Sequence, residues 1–175
     1  LSFGPVICES LRKAGVSAPI DVHLMVEEPE KYVDAFAKAG ANLIAFHQET
    51  TKEVGKTIEM IQQAGMKVGL VFNPDKPVDC DDEMLKKIDM ILLMSVFPGF
   101  GGQAFINDNF EKIQATRKRI DATDRNIFLG VDGGVKADNI EAIAKAGADF
   151  FVVGSGLFNA DNYEQRVTEL RNAMR

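Results

Sequence analysis

Cysteine is scarce in this 175-residue chain: Cys8 and Cys80 are the only two, far apart and in no C-x-x-C pattern. That usage excludes a disulfide framework or zinc knuckle, and its natural setting is a reducing, cytoplasmic one. Positive charge is also in short supply. Lys and Arg total 20 against 26 Asp and Glu, for a net charge of −6, and no basic run makes a patch. A nucleic-acid surface is not expected from that balance. The opening LSFGPVICES has no initiating Met, basic leader or long apolar run, so it reads as neither signal peptide nor membrane span. What remains is ordinary for a soluble protein, with 46% hydrophobic and 26% charged residues. The length suits one domain, 1–175, that buries a core without staples.

Six short apolar runs read as buried parallel strands: 20–26, 43–47, 67–72, 90–95, 127–131 and 149–153. Helical spacing lies between them, in Val33, Phe36, Ala37 and Gly40 and again in Val54, Ile58, Ile61 and Gly65. The last helix carries Tyr163, Val167, Leu170 and Met174 on one stripe, with Asp161 as its expected cap. Asp138 and Glu141 form a pair like a capping box ahead of another helix. Of the five intervals between strand starts, four are near 23 residues and one is 37. The chain also echoes itself, since AKAGANLIAF at 37–46 resembles AKAGADFFVVG at 144–154. Such alternation leaves a doubly wound sheet or a closed barrel. Glycine-rich turns after the last two strands, where barrels bind phosphate, favour the barrel. The expected fold class is therefore α/β, a (β/α)8 TIM barrel. It is N-terminally truncated to about six β/α units, lacking the first two and entered through a helix at 5–14.

Three glycine-rich turns follow strands: Pro98-Gly99-Phe100-Gly101-Gly102-Gln103, Asp132-Gly133-Gly134 and Gly154-Ser155-Gly156. Glycine lets backbone N–H groups approach an anion with no Cβ in the way. The third turn is expected to open a short helix at Leu157, whose dipole favours phosphate. One such turn alone is merely a tight turn; three at one end of a barrel make a phosphate site the better reading.

In the strand at 20–26, Ile20, Val22, Leu24 and Val26 share one face, and Asp21, His23 and Met25 the other. A carboxylate and an imidazole turned into a barrel need partners. Either they form a hydrogen-bonded core pair, or His23 binds a metal or substrate. Asp132 ends its strand at the catalytic rim before a glycine pair, a position that reads as functional or as an Asx-type turn. His47, followed by Glu49, is open between rim structure and substrate contact. Met25 and Met94 read most simply as core filler near the rim.

Taken together these residues closely resemble the ribulose-phosphate 3-epimerase family, along nearly the whole chain. The resemblance is carried by DVHLMV at 21–26, LLMSVFPGFGGQAF at 92–105, VDGGV at 131–135 and VGSGLF at 153–158. It implies interconversion of D-ribulose 5-phosphate and D-xylulose 5-phosphate, a reaction of the pentose phosphate pathway, by inversion at carbon 3. Two aspartates exchange protons there through an enediolate. It implies one divalent metal ion per subunit (Zn, Fe, Mn or Co), held by two His and two Asp. The expected partners are a small phosphorylated ketose and further copies of the chain in a homo-oligomer, with no nucleic acid and no membrane.

Residue by residue, the resemblance makes Asp132 the metal-ligating general acid/base and His23 a metal ligand. Met25 and Met94 lie beside the enediolate. Gly99, Phe100, Gly101 and Gly102 form the substrate-covering loop, and Gly133, Gly134, Gly154 and Ser155 contact phosphate. The family's other catalytic Asp, its second metal-binding His and its substrate-contacting Ser lie on the two strands with no counterpart here. Negligible turnover is therefore expected of the segment alone. Phe97 stands where the family usually has Asn, and FHQET at 46–50 departs from FHPEA or FHVEA. Two alternatives stay open: an epimerase for another ketose phosphate such as allulose 6-phosphate, and a non-catalytic phosphosugar-binding barrel.

Overall fold

The computed structural model describes residues 1–174. Their contacts gather into two units, Leu1–Val71 with Asp82–Met90, and Phe72–Asp81 with residues from 91 onward.

The first unit runs α1 (Pro5–Lys13), β1 (Asp21–Leu24), α2 (Val33–Ala39), β2 (Leu43–His47), α3 (Val54–Gln63), β3 (Lys67–Phe72) and α4 (Asp82–Leu85). Its strands are parallel in the order β1-β2-β3. Every residue of β2 is buried, and every residue of β3 except Lys67. Such unbroken apolar runs suit a parallel strand covered on both faces. The helices show the complementary pattern, burying Val33, Phe36 and Ala39 on α2 and Thr57, Ile58 and Ile61 on α3. The strand register sets His23 opposite Ala45, and Ala45 opposite Gly69.

The second unit holds β4 (Met90–Met94) apart from its first residue, α5 (Asn109–Asp121), β5 (Phe128–Asp132), α6 (Ile140–Lys145), β6 (Phe150–Val152), α7 (Ser155–Phe158) and α8 (Tyr163–Ala173). Strand order follows the chain, and β5 and β6 pair in parallel with Gly130 opposite Phe150. All five residues of β4 are buried.

The internal echo has a structural cause. Arg12 of α1 donates from Nε to the Gly40 carbonyl at 3.0 Å and from a terminal nitrogen to Asn42 Oδ1 at 2.6 Å. Arg117 of α5 donates in the same way to the Gly147 carbonyl at 2.9 Å and to Asp149 Oδ2 at 2.8 Å. Asn42 Oδ1 also accepts from Ile20 N, and Asp149 Oδ1 from Leu129 N. One clasp, used twice, joins a helix to the turn before a strand and that turn to the neighbouring strand.

Several local expectations need correction. β1 is four residues long rather than seven, because the chain leaves the sheet at Met25 and turns through Glu28, held at φ 54, into a 3-10 turn at Pro29–Tyr32. Asp161 does not cap α8; Asn162 does, accepting from Gln165 N at 2.9 Å. Of the expected stripe on that helix only Leu170 is fully buried, while Tyr163 is exposed. The capping box at Asp138 and Glu141 does not form. Asn139 takes the capping position, and Glu141 pairs with Lys145 one turn on at 2.5 Å. α7 opens at Ser155 rather than Leu157 and is one turn long, so few peptide dipoles add along it. Among the described residues no helix is long and apolar enough to cross a membrane.

Candidate active-site residues

In the first unit the chemistry gathers at the end of β2. Period-two alternation puts Ala45 and His47 on one face, and the parallel register sets His23 beside Ala45. The small Ala45 side chain leaves room for the His23 ring to lean along the strand toward His47. Their Nε2 atoms come within 3.0 Å, and the rings stack with centroids 5.1 Å apart and planes 24° from parallel. Beyond His47, Glu49 Oε1 lies 3.6 Å from Nδ1. The turn carrying Glu49 is pinned by Thr50, whose hydroxyl donates to the His47 carbonyl at 2.6 Å. His47 is 5% exposed. Burial holds its pKa below the ordinary imidazole value, the His23 ring adds to that shift, and the Glu49 carboxylate opposes it. The expected choice between a core pair and a ligand therefore has a partner the sequence did not suggest: His23 pairs with an imidazole.

In the second unit Asp132 is the last residue of β5, as expected. The turn after it is fixed through the main chain by Ser95, which is fully buried just past β4. The Ser95 hydroxyl donates toward the carbonyls of Asp132 at 2.9 Å and Gly133 at 2.5 Å, and its N–H donates to the Asp132 carbonyl at 2.7 Å. Glycine is required here for two reasons. Gly133 and Gly134 have φ values of 119° and 65°, and a Cβ on Gly133 would meet the Val96 side chain at 2.5 Å. On Gly134 it would meet the backbone of Phe105. Asn139 braces the far side, donating from Nδ2 to the Gly134 carbonyl at 2.9 Å and accepting from Lys136 N at 2.8 Å.

The loop at 98–103 closes on itself through Gln103, whose Nε2 donates to the carbonyls of Phe97 at 2.8 Å and Phe100 at 2.9 Å. Phe97 and Phe100 are exposed. A cavity of about 310 Å³ brings Gly102 of this loop together with Ser155 and Gly156, and adds Lys136, Asn159 and Arg166. Two of the three glycine-rich turns thus meet beside two cations. Met94 is buried at the end of β4, in keeping with core filler, whereas Met25 is 57% exposed and does not fill a core. Sequence reasoning missed Ser95, Lys136, Asn139 and Arg166. A hydroxyl ending an apolar strand was a usable signal for Ser95. Lys136 and Arg166 carried none, because tertiary folding alone brings them to the glycines.

Comparison with known proteins gives a consistent picture. The model of the family described as "Ribulose-phosphate 3 epimerase family" matches residues 1–158. The chain is 53% identical over 165 residues to the ribulose-phosphate 3-epimerase of Serratia marcescens, covering 94% of this chain and 79% of that protein. It is 48% identical over 174 residues to the enzyme of that name from Escherichia coli strain K12, covering 99% and 77%. Among solved structures, KGPDC from Streptococcus mutans superposes with a TM-score of 0.73 at 16% identity, over 98% of this chain and 82% of that one. A 3-hexulose-6-phosphate synthase gives 0.69 at 18%, over 98% and 81%. At such identities the likeness speaks for the fold alone: α/β, of the TIM-barrel type.

Proposed function

The chain belongs to the ribulose-phosphate 3-epimerase family, and from that premise we propose that it interconverts D-ribulose 5-phosphate and D-xylulose 5-phosphate by proton transfer at carbon 3. One observation carries the reading at the level of residues. Asp132 ends β5 at the strand's C-terminal tip, on a turn that Ser95 and two obligatory glycines hold rigid. Catalytic groups of barrel enzymes are presented from such strand ends.

A proton next to a ketone is weakly acidic, so its removal needs a positioned base and something to stabilise the oxyanion that forms. Asp132 is one of two proton carriers that inversion requires. It takes or delivers the carbon-3 proton on one face of the enediolate, and a second acid must serve the opposite face. The Asp132 carboxylate stays aimed because the turn is gripped through carbonyls and not through the side chain that reacts. The family resemblance assigns Met25 and Met94 to the surroundings of the enediolate, where apolar side chains keep water from the intermediate. The phosphate of the substrate is met by backbone N–H groups at Gly133, Gly134, Gly154 and Ser155. Lys136 and Arg166, around the cavity that Ser155 lines, add positive charge. The loop Gly99, Phe100, Gly101 and Gly102 covers the bound sugar.

The donor set fits a divalent ion in its chemistry. His23 offers an imidazole nitrogen and Asp132 a carboxylate oxygen, donor types that zinc, iron, manganese and cobalt all accept. Among the described residues no three His, Cys, Asp or Glu side chains form a ready-made cation cluster. These two are therefore assigned as ligands by their chemistry and motifs. Such an ion, when bound, supplies Lewis-acid stabilisation of developing negative charge. The same reading takes the enzyme as a cytoplasmic homo-oligomer, and its two buried cysteines, in no disulfide, suit a reducing compartment.

The test is product identification by NMR with D-ribulose 5-phosphate and D-allulose 6-phosphate supplied separately to a form of the protein that carries the family's second acid and second metal-binding His. Faster epimerisation of the pentose is expected. Faster turnover of the hexose would reassign the substrate. Phosphate-ester binding with no turnover of either sugar would leave a binding barrel in place of an enzyme.

A further inference from the structure

One cavity of the second unit has a charge opposite to that of the chain around it. The sequence carries a net charge of −6, yet the cavity of about 310 Å³ beside Ser155 gathers Lys136 and Arg166 and no carboxylate. Two other cavities balance their lysines with acids. One of about 260 Å³ sets Lys52 and Lys56 beside Glu30 and Glu53, and one of about 350 Å³ sets Lys136 beside Asp138. Lys136 is fixed at its backbone. Its N–H donates to Asn139 Oδ1 at 2.8 Å, and its carbonyl accepts from Ile140 N at 3.0 Å. Gly156 packs against the same stretch, where a Cβ would meet the Val135 carbonyl at 2.8 Å and Lys136 Cγ at 3.5 Å. The lysine stem therefore lies over the glycine at the cavity wall, and its ammonium makes no ion pair among the described residues. Arg166 on α8 meets Glu169 Oε2 through Nε at 3.2 Å, which leaves its two terminal nitrogens to donate elsewhere.

We propose that Lys136 and Arg166 are specificity-determining residues that clamp a phosphate monoester through their side chains and select it by its double charge. That the monoester is a ketose phosphate rests on the function proposed above; the anion clamp does not. A backbone N–H donates to a singly charged or a neutral oxygen as well as to a phosphate. Two cations with no acid between them favour the group of larger charge, and a phosphate monoester carries about −1.5 to −2 at neutral pH. The two side chains divide the work, since the guanidinium fork matches two phosphate oxygens and the ammonium acts as a point charge. Gly102 of the covering loop borders the same cavity, so a phosphate held there stands against the loop that covers the sugar.

The chain is titrated with methyl phosphate and, separately, with dimethyl phosphate, a diester of single charge, and binding is followed by 31P NMR. Methyl phosphate is expected to bind more tightly, with an affinity that falls as salt is added. Lys136→Met keeps the stem of an exposed side chain, and Arg166→Met removes the fork. Each is expected to weaken methyl phosphate by roughly tenfold and to narrow its advantage over the diester. Lys136→Arg restores the charge and is expected to recover most of the affinity. Lys145→Met removes an equal charge from an exposed lysine paired with Glu141 outside the cavity, and is expected to leave both affinities as they are. Equal binding of the two esters by the wild type overturns the clamp. So does wild-type affinity in Lys136→Met and Arg166→Met, or an equal loss in Lys145→Met. The expected binding pattern, with no turnover of a ketose phosphate by a form that carries both acids, upholds the clamp and defeats the epimerase reading. Turnover by that form, with methyl phosphate affinity unchanged in the variants, defeats the clamp alone.

Discussion

The two units clasp their helices alike and hold their chemical side chains differently. Arg12 and Arg117 perform the same task at two copies of one sequence motif, and the distances agree to about a tenth or two of an ångström. The strand ends diverge. His47 is held through its side chain, by another ring and a carboxylate, so its environment responds to charge. Asp132 is held through its own main chain, by a hydroxyl and two glycines, and that grip does not depend on the carboxylate. The difference separates two kinds of damage. Around His47 a substitution changes protonation before it changes structure, whereas around Asp132 the turn and the reacting group fail independently.

That separation is sharpest in Asp132→Asn. An amide cannot exchange the carbon-3 proton on its face of the sugar, so kcat of a form that carries both acids is expected to fall by about 10²- to 10⁴-fold. The thermal midpoint is expected to stay close to wild type, because the main-chain grip survives. Steady-state rates set beside a melting curve check both halves, and a large drop in midpoint would erase the contrast. Ser95→Ala is the reverse case. It removes the hydroxyl of a fully buried residue from the Gly133 carbonyl, leaves the Asp132 carbonyl its bond from the backbone N–H of residue 95, and is expected to cost about 1–3 kcal/mol in denaturant unfolding. Stability unchanged in this variant would show that the turn needs no clamp.

The smallest expected effect lies in the first unit and depends on pH. The folded pKa of His47 lies below its ordinary 6.5. Between those two values the unfolded chain binds a proton that the folded chain does not. Stability from this group is therefore complete above about pH 6.5 and declines as pH falls through that window toward the folded value. His23 and Glu49, the groups facing the ring, set the width of the window in opposite senses. His47→Asn is expected to flatten the slope of unfolding free energy between pH 7 and 5, measured by urea titration. A slope as steep as that of wild type would place the charge sensitivity elsewhere.

Legibility in the sequence follows the same division. β2 and β3 match their expected spans residue for residue, because strands covered on both faces are unbroken apolar runs. β1 was overrun by two residues at its end and one at its start. The two at its end arise because the alternation of 20–26 continues past the point where the chain turns toward Glu28. The expected cap of α8, Asp161, lies one residue early, because Asp and Asn are equally good caps and a sequence does not show at which of two neighbours the helix begins. Asp132 and the glycines were visible because strand-end position and the absence of a Cβ are local properties. The His23–His47 pair was not. It joins residues 24 positions apart and exists only because the parallel register puts a small Ala45 beside His23. The cations Lys136 and Arg166 near the glycines escaped notice for the same reason.

The central claim is that the Asp132 carboxylate moves the proton at carbon 3. The most direct measurement is solvent deuterium incorporation at that carbon of D-ribulose 5-phosphate, followed by NMR for the wild-type protein and Asp132→Asn side by side. Deuterium entering at carbon 3 with the wild type and not with the variant is the predicted result. Incorporation at equal rates in both would contradict the account.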